Sequence, residues 1–250
     1  MWRFLYRGAW ALARPLAAIL AGTSGKLGRT AAGLRGAARR MVDWAARHRD
    51  TARPLVWFHA ASVGEGRQAE AVIVRLRAAR ADWQVAYTHS SPSAERFART
   101  LPADFAGYVP CDTVADASAA LEALRPAALV FSATDVWPEL VGQAVVRGVP
   151  VGLISATLAP TSSRRGALAR ALLADAYAAL TRVGAIDAAD AQGLAALGVP
   201  ADRIVVTGDT RHDAAAARAA AIQRDGEVLR ALAAHAGPPV VVAGSTWPDD

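Results

Sequence analysis

The sequence contains one cysteine and one lysine, and it lacks the common metal and cofactor motifs. Because Cys111 is the only cysteine, an intramolecular disulfide framework and a cysteine-rich zinc site are excluded. The five histidines are scattered and form no HxxxH pair. No GxGxxG, no GxxxxGK phosphate loop and no GxSxG elbow occurs, so dinucleotide, P-loop and hydrolase sites lose their best sequence support. We therefore predict neither a metal nor a bound cofactor.

Positive charge is concentrated at the start of the chain. Residues 1–53 carry eleven Arg and Lys against two Asp, a net charge of +9, whereas the other 197 residues carry 17 positive and 20 negative charges, a net charge of −3. Nucleic-acid-binding domains spread basic residues over a face of the folded body, which this distribution does not do. The sequence thus predicts a slightly acidic body behind a basic leader, with no nucleic-acid partner.

The leader has the pattern of an amphipathic helix. Residues 2–21 are apolar but are interrupted by Arg3, Arg7 and Arg14, so the apolar run is too short to span a membrane. On a helical wheel the three arginines share one side and the apolar residues the other. This pattern favours a helix lying on a membrane lipid surface, with the arginines towards lipid phosphates. A cleaved signal peptide and a helix docked on the body stay open, and a second helix is predicted over 37–47.

From residue 54 onward, short apolar runs alternate with segments of helical spacing. The alternation predicts an α/β fold with a Rossmann-like parallel sheet and helices on both faces. Ligands of such sheets lie beyond the carboxyl ends of the strands. The predicted strands are 55–60, 84–88, 107–109, 128–131, 151–155, 181–185 and 204–207. The predicted helices are 67–80, 94–101, 115–124, 139–147, 165–180 and 188–197.

The loop after the first predicted strand carries the strongest chemical signal. In SVGEG, residues 62–66, two glycines allow close backbone approach and unusual dihedral angles. The start of the following helix offers unpaired N–H groups to an anion. Glu65 between the glycines is placed to act as a general base, or it caps the helix. His59, within the strand, is expected to be a hydrogen-bonded core or rim histidine.

Two further loops combine polar side chains with strand ends. Ser90, Ser91 and Ser93 form a hydroxyl cluster that either binds sugar or phosphate oxygens or caps the next helix. Asp135 and Trp137 follow another strand, with Asp135 near a helix cap and Pro138 suited to the first helical turn. A binding role and a capping role both stay open for these residues.

Together, several segments resemble the bacterial 3-deoxy-D-manno-octulosonic acid (Kdo) transferases. The segments are WFHAASVGEG (57–66), YTHSSPSAERF (87–97), YVPCD (108–112), RPAALVFSATDVWPEL (125–140), RGVPVGLISATL (147–158), RIVVTGDTRHD (203–213) and VVVAGST (240–246). They follow the family's order and spacing from residue 55 to the end. The resemblance implies the N-terminal half of a GT-B glycosyltransferase, which transfers Kdo from CMP-Kdo to a lipid A precursor with inversion and without a metal.

The resemblance also assigns roles to residues. It makes Glu65 the general base and places the enzyme on the cytoplasmic face of the bacterial inner membrane. The acceptor side would include Ser62, Gly64, Arg67, Ser90, Ser91 and Asp135, with an acceptor phosphate near Arg67 and the helix start. The donor side would include Asp209, Arg211, Ser245 and Thr246.

The sequence departs from the family pattern at several of these positions. Asp135 stands where the family has Glu, Asp209 and Arg211 replace Asn and Lys, and Trp247 replaces His. An extra negative charge at Asp209 is unfavourable beside a donor phosphate. These changes leave open a related GT-B transferase that uses another sugar nucleotide, and also a non-catalytic homologue that binds lipid A precursor or membrane.

The domain division follows from the leader, the sheet pattern and the length. The predicted units are a membrane-surface leader over 1–53, an acceptor domain over 54–235 and the start of a donor domain over 236–250. Since the family extends well beyond 250 residues, a fragment or a truncated product is expected, and this chain alone is not expected to turn over CMP-Kdo. Deletion of residues 1–53 is expected to release the body from membranes.

Overall fold

The computed structural model of the chain describes residues 6–10, 22–23, 25–222 and 226–235. The described residues contain a seven-stranded parallel sheet in the order β3-β2-β1-β4-β5-β6-β7. Its strands are β1 (Leu55–His59), β2 (Gln84–His89), β3 (Phe105–Tyr108), β4 (Ala128–Ser132), β5 (Val151–Ala156), β6 (Arg182–Ala185) and β7 (Ile204–Val206). All seven predicted strands are confirmed, with β3 starting two residues earlier than expected.

The helices alternate with the strands as predicted. They are α1 (Lys26–Leu34), α2 (Ala37–His48), α3 (Val63–Ala79), α4 (Glu95–Ala98), α5 (Val114–Leu124), α6 (Pro138–Val146), α7 (Ala167–Ala178), α8 (Ala188–Ala196), α9 (Arg211–Ala220) and α10 (Glu227–His235). Two predicted bounds are wrong. α3 begins at Val63 rather than at 67, and the helix expected over 94–101 is a 3-10 turn, Pro92–Ala94, followed by the single turn of α4.

The central strands of the sheet are buried on both faces, and most of their side chains are apolar. Every residue of β1 and of β2 is buried. Alternate side chains of β1 enter different cores, since Trp57 packs with α2, α5 and α6 whereas Phe58 packs with α3 and α4. Helices on both faces of a parallel sheet are the arrangement that the strand pattern predicts.

The strand order places the loops of interest side by side. Successive strands are added on one side of β1 as far as β3, and on its other side from β4 onward. The order of the strands therefore reverses between β1 and β4, which pair in parallel at the centre of the sheet. The crevice beyond such a reversal is where open α/β sheets bind ligands. The loop that carries Glu65 follows β1 and the loop that carries Asp135 follows β4, so both leave the sheet at this point.

Part of the predicted leader is packed on the sheet. α2, the helix expected over 37–47, lies against α5 and β3 and buries Met41 completely. Its Trp44 ring contacts Phe105 of β3, with ring centroids 5.4 Å apart. Because α2 contributes to the core, deletion of residues 1–53 would remove core side chains as well as basic charge.

Residues 6–10 form a helical turn that also contacts the body. The Tyr6 hydroxyl donates to Asp112 Oδ2 at 2.6 Å, and the Arg7 guanidinium donates two hydrogen bonds to the buried Glu139 carboxylate. Burial raises the pKa of the Asp112 carboxyl to about 6, against the opposing effect of its hydrogen bonds. Arg7, expected to face lipid, is thus paired with protein. The remaining residues of 2–21, Arg3 and Arg14 included, lie outside the described residues.

The chain divides into two compact units, Met1–Ala214 and Ala215–Asp250. The sheet lies in the first unit, and α10 lies in the second. The predicted boundaries after residues 53 and 235 stay predictions. Among the helices in the described ranges, none has the length and apolar character needed to cross a membrane.

Candidate active site

Glu65 lies in the first turn of α3, within a capping box. The Ser62 hydroxyl accepts from the Glu65 N–H at 3.5 Å, while Glu65 Oε2 accepts from the Ser62 N–H at 3.0 Å and from its hydroxyl at 3.3 Å. The capping role left open by the sequence is therefore real. Since both bonds that the Glu65 carboxylate accepts use Oε2, Oε1 has no hydrogen-bond partner in the part of the chain that the structure describes. The box holds a half-buried carboxylate in place and leaves one oxygen for a proton.

The two glycines beside Glu65 do different things. A Cβ on Gly66 would lie 2.5 Å from the Phe97 ring and 2.7 Å from the Tyr87 hydroxyl, so α3 approaches these side chains as only glycine allows. A Cβ on Gly64 would meet only the Ser62 hydroxyl, at 3.9 Å. Both glycines have ordinary helical φ angles, so the expected unusual dihedral angles are wrong, and close approach is confirmed at Gly66 alone.

Arg67 is placed beside the candidate base but is already paired. Its guanidinium donates to Glu70 Oε2 at 2.8 Å and lies 4.6 Å above the centre of the Phe97 ring. The side chain is 39% exposed. An acceptor phosphate bound by Arg67, as the sequence predicts, would share the guanidinium with Glu70.

The serine loop after β2 does not cap the following helical turn. Ser91 is at the N-cap position of the 3-10 turn without a side-chain cap bond, and its hydroxyl is 2.8 Å from that of Ser93. The Ser91 N–H donates to the Ala61 carbonyl at 2.9 Å, and the Ser90 hydroxyl donates to the same carbonyl at 3.5 Å. The capping alternative is therefore wrong for Ser91. The loop is tied to the segment between β1 and α3.

Asp135 does not cap α6, whose N-cap residue is Trp137. Its carboxylate instead lies near three side-chain nitrogens: His59 Nε2 at 3.3 Å, Trp137 Nε1 at 3.0 Å and an Arg164 nitrogen at 3.5 Å. Burial alone would raise the pKa of Asp135, but the contact with the His59 ring, helped by Trp137 and Arg164, outweighs it and lowers the pKa. The carboxylate is therefore ionised, and its side chain is 24% exposed.

Backbone geometry and an arginine complete this cluster. Ala133, two residues before Asp135, has a φ of 61°, a strained value for a residue with a side chain. Arg164 comes from the segment after β5, which the sequence analysis did not single out. Nothing local marks it, because its contact with Asp135 spans 29 residues of chain. The aromatic pairs Trp10–Trp137 and His59–Trp137 have ring centroids 6.2 and 5.5 Å apart.

Asp209 belongs to a polar network around α3. It accepts from the Gln68 amide at 3.1 Å, and its other oxygen accepts from Arg211 Nε at 2.8 Å. Burial opposes ionisation of Asp209, but the Arg211 and Gln68 hydrogen bonds prevail and lower its pKa. The Ser132 hydroxyl bonds to both Gln68 and the Glu65 carbonyl. The negative charge of Asp209 is therefore balanced by Arg211, and the network, including the unpredicted Gln68, braces the helix that carries Glu65.

Comparison with known proteins decides the family. The sequence model of 3-deoxy-D-manno-octulosonic-acid transferases (Kdo transferases) matches residues 35–214. The chain belongs to this family. The described portion of the family match includes Glu65, Asp135, Asp209 and all seven strands.

Curated Kdo transferases match the same part of the chain. The 3-deoxy-D-manno-octulosonic acid transferase of Chlamydia muridarum is 29% identical over 63% of this chain and 37% of its own length. The enzyme of Haemophilus influenzae is 24% identical over 63% of this chain and 38% of its own length. The enzyme of Bordetella pertussis is 29% identical over 76% of this chain and 44% of its own length. The matches thus span about two fifths of the length of these relatives.

Solved structures show the same fold at low identity. UDP-GlcNAc 2-epimerase from Neisseria meningitidis superposes with a TM-score of 0.53 and 16% identity, over 71% of this chain and 52% of that chain. The UDP-GlcNAc 2-epimerase from Methanocaldococcus jannaschii superposes with a TM-score of 0.53 and 17% identity, over 71% of this chain and 52% of that chain. The Kdo transferase sheet domain therefore shares its fold with about half of each of these proteins.

The site residues expected on the donor side are described only in part. Asp209 and Arg211 are the ion pair reported above, whereas Ser245 and Thr246 lie outside the described residues, as does Trp247. The acceptor-side residues are confined to the segments after β1, β2 and β4, three neighbouring strands of the sheet. The strand order thus places the acceptor-side residues close to the point where the order of the strands reverses.

Proposed function

We propose that the chain is the acceptor-side part of a Kdo transferase that moves Kdo from CMP-Kdo to a lipid A precursor of the lipid IVA type. The observation that carries the proposal is the family match over 35–214, combined with a fixed carboxylate, Glu65, at the reversal point of the sheet. The relatives are named as 3-deoxy-D-manno-octulosonic acid transferases. The complete enzyme would be a GT-B protein with a second domain for the donor.

In this proposal Glu65 is the general base. Its Oε1 takes the proton of an acceptor sugar hydroxyl while that oxygen attacks the anomeric carbon of Kdo, and the bond to the CMP phosphate breaks on the opposite face. One C–O bond forms, one breaks, CMP leaves with the electron pair, and the anomeric configuration inverts. The capping box contributes by fixing the carboxylate before the substrate arrives, which lowers the cost of reaching the reactive geometry.

The remaining candidate residues would bind the substrates. Ser62, Gly64, Arg67, Ser90, Ser91 and Asp135 would face the acceptor, and Arg211, Ser245 and Thr246 would face the donor. Asp209 enters this assignment through its ion pair with Arg211, which removes the objection to a negative charge beside a donor phosphate.

A donor screen with the complete gene product tests the function. We expect Kdo to be transferred to lipid IVA when CMP-Kdo is supplied, detected by mass spectrometry of the lipid product. The 250-residue chain alone is expected to show no turnover. Transfer only from a different sugar nucleotide would replace the proposal with the related-transferase alternative, and binding of lipid IVA without transfer from any donor would favour the non-catalytic one.

We further propose that the enzyme works on the cytoplasmic face of the bacterial inner membrane, attached through its basic leader. The support is the +9 charge of residues 1–53 and the amphipathic pattern of 2–21. Since Met41 is fully buried, the informative deletion is residues 1–24, which spares α1 and α2. We expect it to weaken sedimentation with vesicles containing anionic lipid.

Matched variants separate lipid contact from docking on the body. Arg7→Ala removes a residue paired with Glu139, whereas the double variant Arg3→Ala, Arg14→Ala removes the other two arginines of residues 2–21. Each lipid contact contributes about 1 kcal/mol, so the double variant is expected to weaken vesicle binding by at least tenfold. Equal binding by the full chain and the deletion variant would refute attachment through the leader.

A further inference from the structure

His59 contacts the exposed carboxylate of the site but is itself unable to reach a ligand. It ends β1, and its side chain is 0% exposed. Nδ1 lies 3.0 Å from the Thr88 hydroxyl, and Nε2 lies 3.3 Å from Asp135 Oδ2. Phe131 and Trp137 meet the imidazole edge to face. Any contribution of His59 to chemistry must therefore pass through Asp135.

The donors and acceptors around the Thr88 hydroxyl indicate which nitrogen of the His59 imidazole carries the proton. The Trp57 indole N–H only donates, and it donates to Thr88 Oγ1 at 2.9 Å. The single Thr88 hydroxyl proton then goes either to His59 Nδ1, at 3.0 Å, or to the Phe58 carbonyl, at 3.3 Å. If it goes to Nδ1, a neutral imidazole carries its proton on Nε2.

The other choice is disfavoured by the contact with Asp135. If Thr88 donates to the Phe58 carbonyl, His59 Nδ1 must donate to the Thr88 oxygen. A neutral imidazole would then turn the bare lone pair of Nε2 towards a carboxylate oxygen 3.3 Å away, with one acceptor facing another. The arrangement that satisfies both contacts therefore has its proton on Nε2, facing Asp135 Oδ2.

We propose that His59 is a positioning residue, whose Nε2–H holds the Asp135 carboxylate in its orientation at the reversal point of the sheet. This inference rests on the proposed function, in which Asp135 faces the acceptor. Arg164, 32% exposed, donates to Oδ1, whereas His59 donates to Oδ2 from the buried side. Without His59, the Trp137 indole N–H is the one partner of Oδ2 left among the described residues, and the carboxylate is less firmly held against turning towards Arg164.

The tautomer of His59 tests the contact directly in the 250-residue chain. We expect long-range 1H–15N spectra of histidine-labelled protein to show a protonated Nε2, with the resonance assigned by its loss in His59→Gln. The Asp135→Asn variant is expected to shift the His59 nitrogen resonances. An imidazole protonated on Nδ1 with a bare Nε2 would overturn the proposal. Because no activity is required, this result stands whether or not the proposed function holds.

Paired substitutions test the consequence in the complete gene product. His59→Leu removes the donor and is expected to lower kcat by about 10–100-fold, as misplacement of a reacting or binding group does. His59→Gln supplies an amide N–H and is expected to recover part of that loss, although melting measurements should show similar stability for the two variants. Activity losses that simply follow the loss of stability would overturn the positioning role. A wild-type protein without Kdo transfer would instead refute the proposed function.

Discussion

Glu65→Gln is expected to lower Kdo transfer by the complete gene product by about 10²–10⁴-fold, the usual contribution of a general base. Glutamine also serves at the third helical position of a capping box, so the hydrogen bonds with Ser62 are retained in kind. The variant therefore removes the proton acceptor and leaves the helix start intact. Steady-state transfer assays, combined with thermal melting of the same protein, measure the two effects separately.

The first turn of α5 offers a control for the change from carboxylate to amide. Asp116 occupies the equivalent position in the first turn of α5, where its N–H donates to the Thr113 hydroxyl at 3.2 Å. Asp116→Asn makes the same carboxylate-to-amide change outside the candidate site, and we expect transfer within about twofold of wild type, since changes away from special features have small effects. Near-normal transfer by Glu65→Gln would remove Glu65 from the base role and leave it a helix cap.

Gly66→Ala is expected to destabilise the 250-residue chain by about 1–3 kcal/mol, the usual cost of overpacking a core. The new methyl group would lie 2.5 Å from Phe97 and 2.7 Å from the Tyr87 hydroxyl, both buried. Either α3 must move away from β2 or the two rings must shift. At roughly 2–4 °C per kcal/mol for a protein of this size, thermal melting should show a clear decrease in Tm.

Gly64→Ala is the matched control, two residues away in the same helical turn. Its methyl group would meet only the Ser62 hydroxyl, at 3.9 Å, and alanine favours a helix over glycine by up to about 1 kcal/mol. We expect an unchanged or slightly raised Tm. Similar melting temperatures for the two variants would contradict the assignment of close packing to Gly66 alone.

The fold could be predicted because its signals are local. The runs LVWF (55–58) and VAY (85–87) are apolar, as the middle of a strand buried on both faces is expected to be, and short apolar runs of this kind predict all seven strands. The two glycines of SVGEG are typical of a loop, which is why the sequence predicts the start of α3 four residues too late. The capping signal of Ser62 with Glu65 was present, and it places the helix start at Val63.

The sequence predicts which loops carry the candidate site, but not the contacts that their residues make. Polar residues after β1 and β4 indicate where chemistry belongs, because parallel strands bring their carboxyl ends to one edge. The partners of those residues were beyond prediction. The sequence leaves a capping role open for Asp135, yet its carboxylate contacts His59 and Arg164, which lie 76 and 29 residues away in the chain. Spacing along the sequence carries no information about such contacts.

The pattern of apolar runs specifies the parallel α/β sheet and the positions of its loops, and the ordered segments identify the Kdo transferase family. How the charged groups are used depends on contacts between distant parts of the chain. Arg7 carries the pattern of a lipid-facing residue, but it pairs with Glu139, 132 residues away, and Asp209 is neutralised by Arg211. Periodicity records which side of a helix is apolar or charged. Only the folded chain shows whether that side meets lipid, water or another part of the protein.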